Sequence, residues 1–234
     1  MRPVVVGCGF LVAALLAACS RNPPSAEARG PSPQPLGTAT LQLATALDDV
    51  ADAGATAPPS LAGKTVLHVG DSMVGGNLGL TRALEQRFSA EGAKFIHDYK
   101  VSESIVSYDH SPKLKSLIEK IHPDIVIITL GTNDVFVPYP ASLAGNIRNI
   151  VKRASGSECY WMGPPTWKPD TGIVQVLKDN VAPCKFFDSS NLKLQRGGDG
   201  IHPTDRGGAE WATSFWTYFR SPQESAAVVT DRRP

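Results

Sequence analysis

Between residues 64 and 220 the chain alternates short apolar runs with segments of helical spacing. The run at residues 124–131 is rich in β-branched side chains, which is typical of a strand buried on both faces. Because helical segments separate the runs, they predict a parallel sheet covered by helices on both sides. We therefore expect an α/β fold with three layers, α/β/α, around a central five-stranded parallel sheet. The five runs read TVLHVG, AKFIHDY, DIVIITLG, CYWMG and CKFFDS.

The ends of the chain differ in composition from this region. Val4 to Ala18 is an apolar run after Arg2 that is too short to span a bilayer comfortably, which predicts an export signal. The following segment is rich in Pro, Ala, Ser and Gly and has few large side chains to bury, so we expect a flexible tether. The expected segments are a signal peptide (1–19), a tether (20–60), one folded domain (61–220) and a disordered tail (221–234).

The end of the export signal, Leu-Ala-Ala-Cys at residues 16–19, resembles a bacterial lipoprotein box. Leu16 stands where an ordinary cleavage site prefers a small residue. The resemblance implies that Cys19 becomes the lipidated first residue, and it predicts a membrane-anchored lipoprotein facing the periplasm or the cell surface. The alternative is a plain secretory signal followed by a free cysteine.

Two cysteines remain in the expected domain, Cys159 and Cys184. Exported chains meet oxidising conditions, and each of these cysteines begins a strand-like run. If the two runs are neighbouring parallel strands, the thiols lie at equivalent ends and can form a disulfide. The alternative is a pair of buried thiols.

Polar residues follow the apolar runs where ligands bind in parallel sheets, at the carboxyl ends of the strands. Ser72 comes directly after the first run, and we expect its N–H near the start of a helix, where the field favours a developing negative charge. That position suits a nucleophile, although Ser and Asp are also ordinary helix caps. Asn133 follows the third run and can donate to an oxyanion, or it can simply form a turn.

The third polar segment, GGDGIHPTDRGG at residues 197–208, precedes the last helix. Asp199 and His202 are three residues apart, so the carboxylate can reach one imidazole nitrogen and leave the other free. An acid in that position holds the histidine in the tautomer that a general base for serine requires.

The three blocks GDSM, GTND and DGIHPT resemble the signature blocks of the SGNH hydrolases, also called GDSL esterases, over about residues 64–220. The resemblance implies the flavodoxin-like fold of that family and a serine ester hydrolase. The residues that match family positions are Ser72 (nucleophile and oxyanion N–H), His202 (base), Asp199 (its orienting acid), Asn133 (oxyanion donor), and Asp71, Gly131 and Asp134 (loop support).

One block departs from the family pattern. After the second strand the family has a glycine whose N–H completes the oxyanion hole, but residues 100–109 read KVSESIVSYD. We expect the N–H of Ser104 to take this role, with Ile105 as the alternative. Glycine tolerates backbone angles that these residues resist.

Aromatic side chains around the expected cleft, Tyr139 and Trp167 in particular, are candidates for substrate binding, or they cap the core. The five histidines and four cysteines show no HxxxH or CxxC spacing, so no metal is predicted. The glycines lack a nucleotide-binding pattern, so no cofactor is predicted either. The basic residues are scattered at a net charge of +1, which argues against a nucleic-acid partner.

These observations predict an exported serine ester hydrolase that removes O-acetyl or other short acyl groups from cell-envelope carbohydrate through an acyl-enzyme on Ser72. Its partners would be an ester-bearing small molecule or glycan, and the membrane through Cys19. An O-acetyltransferase of polysaccharide or peptidoglycan using the same triad is one alternative. A lipoprotein that binds glycan without catalysis is the other.

Overall fold

A computed structural model of the chain describes residues 59–75 and 79–221. The predicted signal peptide, the lipidation site Cys19, residues 20–58 of the tether and residues 222–234 of the tail lie outside the described residues. Within the described part, none of the helices combines the length and apolar character needed to cross a membrane.

The five predicted strands are present and form one parallel sheet, which confirms the α/β fold class. Their order in the sheet is β2-β1-β3-β4-β5, so β1 and β3 lie next to each other at its centre. The carboxyl ends of these two central strands meet at one edge, where Gly70 pairs with Thr129. The strands are β1 (Thr65–Gly70), β2 (Lys94–Tyr99), β3 (Ile125–Thr129), β4 (Glu158–Met162) and β5 (Lys185–Phe187).

Helices cover both faces of the sheet. The six are α1 (Gly79–Ala90), α2 (Ile105–His110), α3 (Lys113–Ile121), α4 (Ala144–Ala154), α5 (Ile173–Asn180) and α6 (Asp205–Arg220). Successive side chains of a strand point to opposite faces, so Val66 packs with α1 and α6 while Leu67 packs with α2 to α5. Helix α2 falls in the block without glycine, a stretch whose helical content the sequence pattern did not predict.

Cys159 and Cys184 form a disulfide, with Cα atoms 4.5 Å apart. The register explains the pairing, because Tyr160 lies opposite Lys185 and each cysteine is the residue before one of these partners. The bond lies at the amino ends of β4 and β5, at the opposite end of the sheet from Ser72.

Candidate active site

Ser72 lies at the carboxyl end of β1 in a tight turn. The Val74 N–H donates to the Asp71 carbonyl and the Gly75 N–H to the Ser72 carbonyl, both at 3.1 Å. Helix α1 is described from Gly79, and Gly79 and Leu80 at its start line one cavity with Ser72. The Ser72 N–H has no hydrogen-bond partner in the described part of the chain. It is therefore available as a donor.

Close packing of the central strands holds this turn. The Asp71 N–H donates to the Thr129 carbonyl at 3.1 Å. A Cβ added at Gly70 would lie 2.1 Å from that same oxygen and 2.7 Å from Cγ2 of Val74. Only glycine allows the strands to approach this closely just before the serine.

The structure brings Ser72, His202 and Asp199 together in one line of hydrogen bonds. Ser72 Oγ lies 2.8 Å from His202 Nε2, across 130 residues of sequence. His202 Nδ1 lies 2.6 Å from Asp199 Oδ2. Oδ1 of the same carboxylate accepts the N–H groups of Ile201 (2.8 Å) and His202 (3.0 Å). The two backbone N–H groups of this turn thus orient the carboxylate whose other oxygen contacts the imidazole.

The hydrogen bonds also determine the protonation pattern. The bond from His202, together with the two backbone N–H groups, lowers the pKa of Asp199 to about 2, so the carboxylate is ionised and accepts only. The hydrogen between these two groups therefore lies on Nδ1 of His202. A general base for serine requires this tautomer, in which the Nε2 lone pair faces the Ser72 hydroxyl.

Arg196 supports the Asp199–His202 loop through hydrogen bonds to backbone carbonyl groups. Its guanidinium donates to the Ile201 carbonyl through Nη1 and to the Pro165 carbonyl at 2.7 Å through Nη2. It also lies over the ring of Trp167, 5.8 Å from the centroid. This arginine joins the histidine loop to the loop after β4. Sequence reasoning missed it, because it carries no motif and its contacts are to backbone oxygens.

Two buried carboxylates support the loops around Ser72. Asp71 is 0% exposed and its Oδ1 accepts the Met73 N–H at 2.9 Å, while burial raises its pKa to about 7. Asp134 is 2% exposed and its Oδ2 accepts the Ile105 N–H at 3.1 Å. Burial raises the pKa of Asp134 as well. The second contact ties the loop after β3 to the start of α2.

Asn133 lies with Ser72 and His202 in the lining of one cavity. Its Nδ2 donates to the Glu103 carbonyl at 2.9 Å. An amide nitrogen has two hydrogens, so this bond orients the group and leaves the second N–H for a ligand. Gly131, before this turn, has a φ of 117°, a left-handed conformation that favours glycine.

Ser104 does not have the free N–H predicted for it. It is the N-cap of α2: its N–H donates to Ser107 Oγ at 3.0 Å, and its own hydroxyl accepts the Ser107 N–H at 3.2 Å. The alternative, Ile105, gives its N–H to Asp134. The capping box of α2 and the Asp134 carboxylate therefore engage both donors that the sequence interpretation selected.

Three N–H groups of this block, those of Val101, Ser102 and Val106, have no partner within the described residues. Ser102 has a φ of 59°, the left-handed region that serine seldom adopts. The chain thus keeps, with a serine, a backbone conformation that normally requires glycine. Because the sequence has no glycine here, its pattern did not indicate a left-handed residue. The backbone dihedral angle of Ser102 identifies it.

An open cavity of about 450 Å³ lies on one side of the Ser72–His202 pair, and we call it the inner cavity. Phe136 and Trp167 form its aromatic wall, with ring centroids 5.6 Å apart in an edge-to-face arrangement. Tyr139, the other predicted substrate residue, is 80% exposed and does not line it. The chain turns into a 3-10 helix at Pro140, which carries the tyrosine to the surface.

On the other side of the pair, described residues line a smaller cavity of about 180 Å³. Met73, Leu80 and Pro203 contribute to its lining. Ser72 and His202 line both cavities, so the hydroxyl lies between a small space and a larger aromatic one. Among the described residues there is no cluster of three or more His, Cys, Asp or Glu side chains suited to a metal ion.

Comparison with known proteins identifies the class. Residues 65–138 match the family described as "Protein of unknown function (DUF459)". The chain has 21% identity to the psychrotrophic esterase EstA of Pseudoalteromonas sp., covering 66% of this chain and 95% of that one with a TM-score of 0.51. It has 16% identity to Axe2, an acetylxylan esterase of Geobacillus stearothermophilus, covering 69% and 96% with a TM-score of 0.52. The chain has the fold of the SGNH hydrolases, as the sequence blocks predicted. The matched family segment contains the GDSM and GTND blocks and ends before DGIHPT.

A curated relative is "Protein BcsX" of Komagataeibacter xylinus. It is 27% identical over 203 residues, a match that covers 66% of this chain and 76% of the relative.

Proposed function

We propose that the protein is a serine ester hydrolase that forms an acyl-enzyme on Ser72. The observation that carries the proposal is the line of hydrogen bonds from Ser72 Oγ through His202 to Asp199. A serine hydroxyl is a weak nucleophile unless an adjacent base accepts its proton, and this geometry supplies that base together with its orienting acid. The fold shared with proteins named as esterases supports the same reading.

In the proposed reaction, His202 Nε2 takes the hydroxyl proton as Ser72 Oγ attacks the ester carbonyl. The imidazolium then gives this proton to the leaving alcohol, and the acyl group stays on the serine oxygen. Water, activated by the same nitrogen, attacks the acyl carbon and releases the acid. Asp199 stays ionised throughout and stabilises the imidazolium.

Three donors are proposed for the carbonyl oxygen that becomes negative. They are the unpartnered N–H of Ser72, the second N–H of the Asn133 amide, and the N–H of Ser102 in place of Ser104. Loss of one such donor in other enzymes costs about 3 kcal/mol of transition-state stabilisation.

The proposed substrate is a short acyl ester, such as an acetyl group, on carbohydrate. The smaller cavity, of about 180 Å³, would take the acyl group, and the open aromatic cavity would take the alcohol. Axe2, which shares the fold, is named an acetylxylan esterase, and that name supports a carbohydrate ester as the substrate. Because the alcohol side is open, a sugar can also replace water as the acceptor, which makes O-acetyl transfer the second candidate function.

Labelling with a fluorophosphonate probe tests the proposal. The wild-type protein should be labelled, and Ser72→Ala should not. Ser89→Ala, which removes an exposed hydroxyl on α1, is the matched control and should be labelled like wild type. Equal labelling of wild type and Ser72→Ala, or of neither, would contradict an acyl-enzyme on Ser72. Absence of labelling together with glycan binding would favour the non-catalytic alternative.

Incubation with acetylated carbohydrate separates hydrolysis from transfer. Released acetate should exceed acetyl groups transferred to added chitooligosaccharide if the protein is a hydrolase, and the reverse identifies an acetyltransferase.

The proposal also keeps the location predicted from the sequence, which is an exported lipoprotein anchored through Cys19. Incorporation of labelled palmitate in a bacterial host should be lost in Cys19→Ser. Incorporation that persists in this variant would contradict the anchor.

A further inference from the structure

A second cavity lies beside the inner cavity, and Trp167 lines both. We call it the outer cavity. It has a volume of about 480 Å³ and is formed by the loop after β4 and the loop after β5. Trp167 separates the two cavities, with Ser72 in the lining of the inner cavity and the outer loops in the lining of the other.

The charges of the outer cavity are all positive. Lys168, Lys193 and Arg196 belong to its lining, and the lining contains no carboxylate. Both lysines are exposed, and neither forms an ion pair with any described residue. Arg196 donates to neutral carbonyl oxygens only. Three cations in a concave lining that contains no carboxylate attract an anionic ligand.

Three carboxylates flank the lining residues in the sequence, Asp170, Asp188 and Asp199. Asp170 accepts the Gly172 N–H. Asp188 accepts the N–H of Ser190 at 2.9 Å and its hydroxyl at 2.6 Å. Asp199 accepts from His202 and two backbone N–H groups. None of these carboxylates forms an ion pair with Lys168 or Lys193, so both ammonium groups are open to a ligand.

We propose that the outer cavity binds the anionic groups of an acidic polysaccharide whose ester lies at Ser72. This inference rests on the proposed function and narrows its substrate from carbohydrate in general to carbohydrate that carries carboxylates. The partly exposed Trp167 lies between the two cavities, where a sugar ring of the chain would pack against it. Lys168 and Lys193 would then contact carboxylates of sugars further along the chain.

Binding to the Ser72→Ala protein tests the inference without any chemistry. Isothermal titration calorimetry should give a dissociation constant for tetragalacturonate at least about tenfold below that for neutral xylotetraose at low salt, as expected for two exposed ion pairs. High salt should remove most of the preference, because exposed charges are screened. The double variant Lys168→Ala/Lys193→Ala should remove it, and Lys168→Arg/Lys193→Arg should retain it.

Lys120→Ala is the matched control, because this exposed lysine lies on α3 and has no ion pair among the described residues. It should bind both oligosaccharides like the parent. Equal affinity for the acidic and neutral oligosaccharides, binding of neither, or unchanged affinity in the double alanine variant would overturn the inference. Circular dichroism melting verifies that the double variant is folded. Lys193→Glu reverses one charge of the outer cavity and should weaken the binding of tetragalacturonate even if only one of the two lysines contacts it.

The two proposals fail in different ways. If wild type is not labelled by fluorophosphonate but the charge preference is found, the esterase assignment fails and the outer cavity stands as an anion-binding site. If labelling depends on Ser72 but the charge preference is absent, the esterase assignment stands and the acidic substrate is wrong.

Discussion

The two halves of the candidate active site are built in different ways. The serine half lies on the central strands and rests on carboxylates that are almost fully buried, Asp71 at 0% and Asp134 at 2% exposure. The histidine half lies on a surface loop, where the side chains of His202 and Asp199 are 44% and 48% exposed. The first half is positioned by the packing of the sheet, the second by a few hydrogen bonds.

This difference separates two kinds of mutational effect. Substitutions of the buried residues that support Ser72 alter closely packed groups, so their main effect should be on the free energy of unfolding. Changes in the histidine loop leave the core intact, so they should act on rate. The predictions below test this division, from the largest expected effect to the smallest.

Replacement of the base should give the largest effect. His202→Ala should lower kcat/KM for p-nitrophenyl acetate by at least about a hundredfold, because no other group accepts the serine proton. The melting temperature should change little, since the imidazole is partly exposed and outside the core. An unchanged rate would refute the assigned base, and a large loss of stability would contradict the division between the halves.

The buried half should respond to pH through Asp71. Its pKa is raised from 3.8 to about 7, so the folded state holds the proton more tightly than the unfolded state. The stabilising contribution is present below pH 4 and is lost as the pH rises to about 7. Between pH 5 and 8 the wild type should therefore lose about 2 kcal/mol of unfolding free energy relative to Asp71→Asn, measured by urea denaturation.

Comparison with Asp71→Asn is needed because His68 acts in the opposite direction. Burial lowers its pKa to about 3, which costs stability as the pH falls. Both proteins contain His68, so the difference between their curves reports Asp71 alone. If the unfolding free energies of wild type and Asp71→Asn change in parallel with pH, the Asp71 carboxyl group is ionised in the folded state throughout the range from pH 5 to 8.

Arg196 should matter for rate more than for stability. Arg196→Ala removes the contacts that join the histidine loop to the Trp167 loop, and kcat for p-nitrophenyl acetate should fall about tenfold, the size of one lost positioning contact. Arg196→Lys should recover part of this loss through a single donor. Arg206→Ala is the control, because that arginine pairs only with Glu210 on the surface of α6. A similar loss of kcat in Arg196→Ala and Arg206→Ala would contradict a positioning role for Arg196.

The smallest effect is expected at Ser102. Its φ of 59° is unfavourable for a residue with a side chain, so Ser102→Gly should raise the free energy of unfolding by about 1 kcal/mol. The rate should be kept, because glycine retains the N–H. Denaturant titration measures the stability, and a decrease on substitution would show that the serine side chain supports the turn.

Much of the fold was predictable because its signals are local. The strand at residues 125–129 and the helix at 113–121 follow from side-chain patterns over a few residues, and the parallel order follows from their alternation. Helix α2 was missed for the same reason: its six residues are too few for a clear period. Its start depends on a capping box between Ser104 and Ser107.

The site was predictable where the chemistry of a residue coincides with the end of a strand. Ser72 and Asn133 could be selected in this way, whereas the third donor could not, because an N–H is present at almost every position. The structure shows that capping and Asp134 engage the N–H groups of Ser104 and Ile105, whereas the Ser102 N–H has no partner among the described residues. The bond between Ile105 and Asp134 spans 29 residues, and no local pattern encodes it.

The amino-acid sequence by itself determined the order of strands and helices and the side chains that can carry the chemistry, because both depend on residue type and short-range spacing. Only the tertiary structure decided which backbone N–H groups are free, how Arg196 holds the histidine loop, and that basic side chains after β4 and β5 line one cavity. These features depend on which loops the parallel sheet brings to the same edge, and that juxtaposition exists only in the folded chain.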